Sequence, residues 1–408
     1  MPQPTRKLGL WLIGAGGNVA TTVAVGLAAL QKGLGHPVGL VTGAPPFTRL
    51  PLVGLRRIVL GGHEVGSARP FATAQELHRE SGLFGESLLR KIAPTLGAWQ
   101  ANIRPGTAQG CGKVVEQRVP APARLRGRRP LEIVQRLRDD LRSFARRHRL
   151  DRVVMVNVAS TEPAFRGAAA PRSWSALQKA LNNGRSLALP ASSLYALAAI
   201  EEGMPYINFT PSLGANLPAL RERAMEKRVP IMGSDGKTGE TLIRSVLAPL
   251  FRQRQLQVLS WAGYNILGNR DGQVLSSPRH RAAKLEGKNI VISSLVGDAP
   301  ETRTSIEYVS SLHDWKTAWD HVHFRGFLGV KMSLQFTWQG CDSILAAPLV
   351  IDLARLADLH AHLGLAGVMT HLACFFKTPM DVREHAFSEQ VRMLEQYVVK
   401  VDGRKGAV

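Results

Sequence analysis

The sequence predicts an α/β fold: a doubly wound parallel sheet joined to a second, α+β domain. Three observations predict it. The apolar run at residues 8–13 passes directly into Gly14-Ala15-Gly16-Gly17-Asn18 and then into a helical pattern, the Rossmann-like arrangement of strand, glycine turn and helix. The continuous apolar run at 153–156 has the character of a strand buried on both faces, as parallel sheets covered by helices require. Short apolar segments at 206–209 and 230–232 each end in polar or glycine-rich residues, and ligands of such sheets bind beyond the carboxyl ends of the strands.

The elements follow in order. Residues 8–13 form the first strand, 21–30 a helix, and 38–41 a second short strand. No acidic residue stands at the end of that second strand, in Gly39-Leu-Val-Thr-Gly43, so the usual clamp on a nucleotide ribose is missing there. Between 66 and 150 the pattern weakens, and Pro70, Pro94, Pro105, Pro120, Pro122 and Pro130 punctuate what reads as an insertion with helical pieces. Its densest basic stretch, 124–152, carries Val134, Leu137, Leu141 and Phe144 at helical spacing, with Arg136, Arg138, Arg142, Arg146 and Arg147 around them. That is an amphipathic helix with a solvated face. Strands at 152–158, 206–209 and 230–232 complete the first sheet. Extended segments from 257 onward, including 289–296 and 327–338, suggest a second sheet, and helical spacing returns from 345. The expected division is 1–240 for a nucleotide-binding domain containing the insertion, 241–344 for the second domain, and 345–408 for a segment packing back on the first.

Bulk composition sets bounds. The chain has 408 residues, 45% hydrophobic and 20% charged, enough for a large core. Cys111, Cys341 and Cys374 are odd in number and widely scattered, without the spacing of a disulfide framework or zinc site, which points to a reducing cytoplasm. No apolar run reaches the roughly 18 residues that span a bilayer, and no His-x-x-x-His pair with an acidic partner suggests a metal. The formal charge of +21 attracts phosphorylated ligands and nucleic acid alike. The basic stretch lacks interleaved aromatics for base stacking, which argues against a nucleic-acid partner.

Four segments carry chemistry. Gly14-Ala15-Gly16-Gly17-Asn18, with Thr21 behind it, exposes backbone N–H groups at a helix N-terminus, where a pyrophosphate is held without side-chain clash. Val19 stands where the usual third glycine would be, so the loop alone admits either a nucleotide or a tight structural turn. Asn157-Val-Ala-Ser160-Thr161-Glu162 follows a buried strand and reads as an N-cap or a cofactor loop. Asn208-Phe-Thr-Pro211 ends another strand. Gly233-Ser-Asp235-Gly-Lys237-Thr-Gly239, then Tyr264-Asn265-Ile-Leu-Gly268-Asn269-Arg270-Asp271-Gly272, then Lys284 and Lys288, place carboxylate, amide and ammonium groups on glycine-punctuated turns, where they can converge on a small anion.

Together these segments resemble the myo-inositol-1-phosphate synthase family. The long Tyr-Asn-x-Leu-Gly-Asn-x-Asp-Gly run is the most specific. Asp314-Trp-Lys316, Cys341-Asp342-Ser343 with Ala346-Ala-Pro-Leu, and Phe375-Phe-Lys377-Thr-Pro379 are similar to further family segments, and the likeness is weakest between Gly43 and Leu150. The resemblance implies NAD as a recycled cofactor, glucose 6-phosphate as substrate, an inositol phosphate as product, a homotetramer, and a second domain serving catalysis and oligomerisation. It implies cofactor contacts from Gly14, Ala15, Gly16, Gly17, Asn18, Thr21, Asn157, Ser160, Thr161, Asn208 and Asp235. It assigns Lys284 to proton transfer at the C5 oxygen with Asp235 orienting it, Lys377 to the carbonyl oxygen during ring closure, and Asp342 to orienting a lysine. Lys288, Lys316, Asn269, Asp271, Lys237 and Arg270 are expected to grip phosphate and sugar hydroxyls. Arg270 departs from the family's second Asn, which leaves open a relative that cyclises another sugar phosphate. A non-cyclising NAD dehydrogenase and a basic nucleic-acid-binding protein are the remaining alternatives.

Overall fold

The computed structural model describes residues 5–117, 119, 129–165, 171–183, 189–269, 272, 292, 294–296 and 300–403. The strands are β1 (Leu8–Ile13), β2 (Ile58–Glu64), β3 (Ile103–Pro105), β4 (Arg152–Asn157), β5 (Tyr206–Asn208), β6 (Pro230–Gly233), β7 (Gln257–Leu267), β8 (Glu301–Tyr308), β9 (Trp315–Arg325), β10 (Lys331–Cys341) and β11 (Gly367–Val368). The helices are α1 (Asn18–Gln31), α2 (Pro70–Ser81), α3 (Glu86–Gln100), α4 (Lys113–Glu116), α5 (Pro130–His148), α6 (Trp174–Asn182), α7 (Ala191–Glu201), α8 (Pro218–Glu226), α9 (Gly239–Gln253), α10 (Asp342–His362) and α11 (Phe387–Gly403).

Seven parallel strands run in the order β11-β6-β5-β4-β1-β2-β3. All six residues of β1 are buried, so helices cover it on both faces as its unbroken apolar run requires. The chain leaves β1 toward β2 on one side and meets β4 on the other, which opens a crevice beyond the ends of β1 and β4. The amphipathic helix expected in the basic stretch is α5, with Val134, Leu137, Leu141 and Phe144 buried. Phe144 meets Trp11 of β1 edge to face at 5.0 Å. Its arginines face outward and are partly paired, Arg138 and Arg142 both bridging to Glu202.

The second strand lies elsewhere than the sequence pattern suggests. Residues 41–43 form a 3-10 turn, and β2 is Ile58–Glu64, reached through two further 3-10 turns. The segment 38–41 is too short and too exposed to join a buried sheet. The segment 289–296 is expected as a strand, but its described residues, 292 and 294–296, are helical, and Ile292, Leu295 and Val296 are buried in the core beneath the second sheet.

The second sheet has the order β10-β9-β7-β8, with β7 and β8 parallel and the other pairs antiparallel. Its inner face packs Val258, Trp261 and Val322 against Ala248 and Phe251 of α9. Its outer face exposes Tyr264, Ile266 and Trp319, the Tyr264 and Trp319 rings stacking at 5.8 Å. Between α9 and the inner face lies a fully buried ion cluster: Arg244 reaches Glu240 at 2.5 Å and Asp320 at 2.7 Å. Trp261 Nε1 donates to Asp320 and Asn265 Nδ2 to Glu240. Gly263 makes room for this cluster, since a Cβ there would sit 1.7 Å from the Arg244 guanidinium.

The last part of the chain returns to the first sheet. α10 packs on α1, and its Asp358 bridges to Arg6 at 3.0 Å and Arg152 at 3.2 Å. Strand β11 then joins the sheet beside β6.

Candidate active site

A cavity of about 510 Å³ opens beyond the carboxyl ends of β1, β2, β4 and β5 and reaches the second sheet. The glycine loop forms one wall. Gly14 has φ +84, and a Cβ there would meet the Ala159 backbone at 2.7 Å, so the loop lies directly against the turn after β4. The N–H groups of Gly14 and Ala15 both donate to the His63 carbonyl, which fixes the loop to the end of β2. His63 is itself held, accepting from Trp11 Nε1 at 2.9 Å and lying 3.1 Å from Asp140; burial pushes its pKa down.

Next to His63 stands Glu64, the last residue of β2 and a lining residue of the cavity. Its carboxylate accepts from the N–H groups of Gly16, Val65 and Gly66 at 2.5, 2.8 and 3.0 Å. An acid at this strand end is where nucleotide ribose hydroxyls are recognised. The second strand of the sheet therefore does end in an acid, because that strand is 58–64 and not 38–41. The only signal for it in the sequence is the short apolar start Ile58-Val-Leu60, separated from the closing acid by Gly61-Gly62-His63.

Gly14, Gly16, Gly17, Asn18, Asn157, Ser160, Thr161, Asp235, Asn269, Lys316, Asp342 and Lys377 all line the cavity. Asn18 Nδ2 donates to Asp314 at 2.8 Å, joining the glycine loop to the turn before β9. Cys341 and Ser343 also donate to Asp314, whose carboxyl burial pushes up. The segment after Asn157 continues as loop rather than helix, so the N-cap reading of Ser160 and Thr161 does not hold. Glu162 is buried there, accepts from Ser192 N–H at 2.8 Å and from the Ser192 hydroxyl, and is pushed up to about 7 by burial.

Four expected contacts are placed elsewhere. Ala15 is fully buried under the loop, and Thr21 faces the core from α1. Asn208 is a buried organiser: its amide bonds the Asn157 side chain at 3.1 Å and the Ser212 carbonyl at 2.5 Å. Lys237 is turned from the cavity and donates to Gln390 of α11. Lys284, Lys288, Arg270 and Asp271 lie outside the described residues.

The charged centre is made by Asp235 and Lys377, whose side chains meet at 2.9 Å, both buried. Asp235, expected to orient Lys284, is thus paired with Lys377. It sits at φ +60, a left-handed conformation that Asp tolerates better than most residues. Hydrogen bonds hold it there, Asp235 N–H to Thr210 O at 2.9 Å and Lys377 N–H to Asp235 O at 2.7 Å. Among the described residues Asp235 Oδ2 has no hydrogen-bond partner, leaving a buried acceptor for a ligand hydroxyl. Lys316 and Asp342, 3.8 Å apart, are further lining residues. Among the described residues no group of acidic, histidine and cysteine side chains could hold a metal ion.

A glycine loop at a helix N-terminus, an acid ending the next strand and a buried acceptor beside an ammonium fit a dinucleotide and a small hydroxylated anion. The fold and site define an NAD-dependent α/β enzyme. The family model for myo-inositol-1-phosphate synthase matches residues 8–398, and the chain belongs to that family. It is 33% identical over 428 residues to inositol-3-phosphate synthase 1 of Bacteroides thetaiotaomicron, covering 98% of this chain and 97% of that protein. It is 29% identical to inositol-3-phosphate synthase 1 of Oryza sativa subsp. japonica, covering 88% and 76%. Among solved structures it resembles inositol-3-phosphate synthase of Caenorhabditis elegans, with TM-score 0.84, 25% identity and coverage of 97% and 86%.

Proposed function

We propose that this chain cyclises D-glucose 6-phosphate to 1D-myo-inositol 3-phosphate by oxidation at C5, enolisation, aldol closure of C6 on C1, and reduction. The observation that carries the reading is the buried Asp235–Lys377 pair in the same cavity as the glycine loop. Gly14, Gly16 and Gly17, without side chains, would let the pyrophosphate of NAD approach the start of α1 beside Asn18, Glu64 would take a ribose, and Asn157, Ser160 and Thr161 would line the nicotinamide side. NAD, when bound, supplies reversible hydride transfer.

The remaining chemistry belongs to the chain. Every step places or moves negative charge on a sugar oxygen, and ammonium groups held in a dry site stabilise such charge where it develops. Lys377, fixed by Asp235, faces the carbonyl oxygen during closure. Lys316, beside Asp342, takes a sugar hydroxyl or phosphate, and Asn269 another hydroxyl. By its place after the Tyr264–Gly272 signature, Lys284 takes the C5 hydroxyl proton, with Lys288, Arg270 and Asp271 completing the grip on the anion.

The exposed Tyr264, Ile266 and Trp319 support a subunit contact through the outer face of the second sheet, in a homotetramer. The free thiols of Cys111, Cys341 and Cys374 support a cytoplasmic setting. Among the described residues no helix is long and apolar enough to cross a membrane. The test is incubation with glucose 6-phosphate and substoichiometric NAD, followed by product NMR and absorbance of reduced nicotinamide. Inositol phosphate should exceed the NAD supplied. Reduced cofactor accumulating in step with sugar consumed would instead identify a dehydrogenase.

A further inference from the structure

The loop bearing Asp235 and the segment bearing Lys377 are clasped along their backbones. Ser234 N–H donates to Thr378 O at 2.9 Å, Lys377 N–H to Asp235 O at 2.7 Å, Lys237 N–H to Phe375 O at 2.8 Å and Met380 N–H to Gly233 O at 2.7 Å. Gly236 bridges Phe376 in antiparallel fashion at the centre. Asp235 and Lys377 face the cavity, while Lys237 leaves the clasp away from it.

Lys237 is only 2% exposed. Its ammonium donates to Oε1 of Gln390, a fully buried residue of α11 whose Nε2 donates in turn to the Glu384 carbonyl at 2.5 Å. The Phe387 ring lies 5.8 Å from Nζ. Among the described residues no carboxylate lies within ion-pair distance of it. The titratable groups facing it are Cys374, kept neutral because burial pushes its thiol up to about 12, Glu384, Lys377, and His385, whose pKa burial pushes down.

An ammonium buried against a neutral amide is a poor stabilising device, because the charge loses its hydration without a full counter-charge. Burial accordingly pushes Lys237 down to about 8. An unbranched apolar side chain would fill the same space at lower cost, so stability alone gives no reason for a lysine here.

We propose that Lys237 is a positioning residue for the Asp235–Lys377 pair, tying the catalytic clasp to the C-terminal helix through Gln390. The inference rests on the reading that this pair acts on the substrate. A side chain fixed at its tip fixes the backbone that carries it, and misplacement of a reacting group by about 1 Å costs on the order of a hundredfold in rate.

The test compares purified Lys237→Met, Gln390→Leu, the double variant and Lys377→Met, using glucose 6-phosphate and NAD. We expect Lys237→Met and Gln390→Leu each to lower kcat by at least about tenfold, with KM and the Kd for NAD within about threefold of the parent. The melting temperature of Lys237→Met should be no lower than that of the parent. The double variant should lose no more than either single one, since both remove the same tie. Wild-type kcat in Lys237→Met, or additive losses in the double variant, overturn the inference while an inactive Lys377→Met leaves the active-site reading in place. Wild-type turnover in Lys377→Met overturns that reading and the inference with it. A lowered melting temperature with unchanged kcat would make Lys237 a packing residue and also overturn the inference.

Discussion

At the scale of single residues, burial decides more than residue type. Glu162 was visible in the sequence only as the end of a loop motif, yet it is the carboxyl on which the cavity wall is hung. Burial raises its pKa from 4.5 to about 7, and the hydrogen bonds from Ser192 offset this only in part. The sign follows from proton binding: between these values the folded state holds a proton that the unfolded state releases. Stability contributed by this group is full below pH 4.5 and is lost as pH rises toward 7. A shift of this size corresponds to on the order of 3 kcal/mol. Glu162→Gln should therefore flatten the decline of stability across that window, measured by urea unfolding at several pH values; an unchanged slope would show that Glu162 is ionised throughout. The lysines were harder to place from sequence. Motif position marked Lys237 and Lys377 alike, but only the backbone clasp decides which of two neighbouring side chains faces the cavity.

At the scale of elements, the glycine loop, β4, β5 and β6 were legible because each is an apolar run ending in a polar turn. Strand β2 was not. Its Gly61-Gly62-His63 interrupts the apolar pattern, and the glycines are there because Trp11 and the β1 backbone press against them. The loop carries its own prediction. Gly14→Ala forces a Cβ against Ala159 and a side chain into left-handed backbone, costing roughly 1–3 kcal/mol of local strain. NAD affinity should fall by at least about tenfold in calorimetric titration, because the loop can no longer lie against β4. The buried ion cluster carries another. Arg244→Met leaves Glu240 and Asp320 uncompensated, and burial already pushes Asp320 up. The loss should be about 3–5 kcal/mol by denaturant unfolding, and a loss under about 1 kcal/mol would mean the carboxyls are neutral in the folded protein.

At the scale of the whole molecule, the second sheet has one face with no intramolecular cover among the described residues. Trp319→Glu puts charge at the centre of the Tyr264–Trp319 stack while the inner face, with Trp261 and Val322, is untouched. Light scattering after size exclusion should show smaller assemblies, since an unpaired charge buried in an interface is costly. An unchanged mass would remove this face from the subunit contact. The excess of positive charge attracts phosphorylated ligands and nucleic acid alike. Part of it is spent within the fold: Arg138, Arg142 and Arg223 are bound to acids, and Arg244 is fully buried.

The clasp between Asp235 and Lys377 joins residues 142 positions apart, and this orders events during synthesis on the ribosome. The glycine loop, Glu64 and strands β1 to β6 precede Lys377 in the chain, so on the proposed reading a nascent polypeptide can assemble a dinucleotide site before it owns the ammonium assigned to ring closure. Contacts of such separation form late, because the intervening chain must first be closed into a loop. A fragment ending before β11 would lack both Lys377 and the backbone partners that the 375–380 segment gives the Asp235 loop. On that reading chemical competence waits for the segment after β11, whose return to the first sheet brings Lys377 to Asp235.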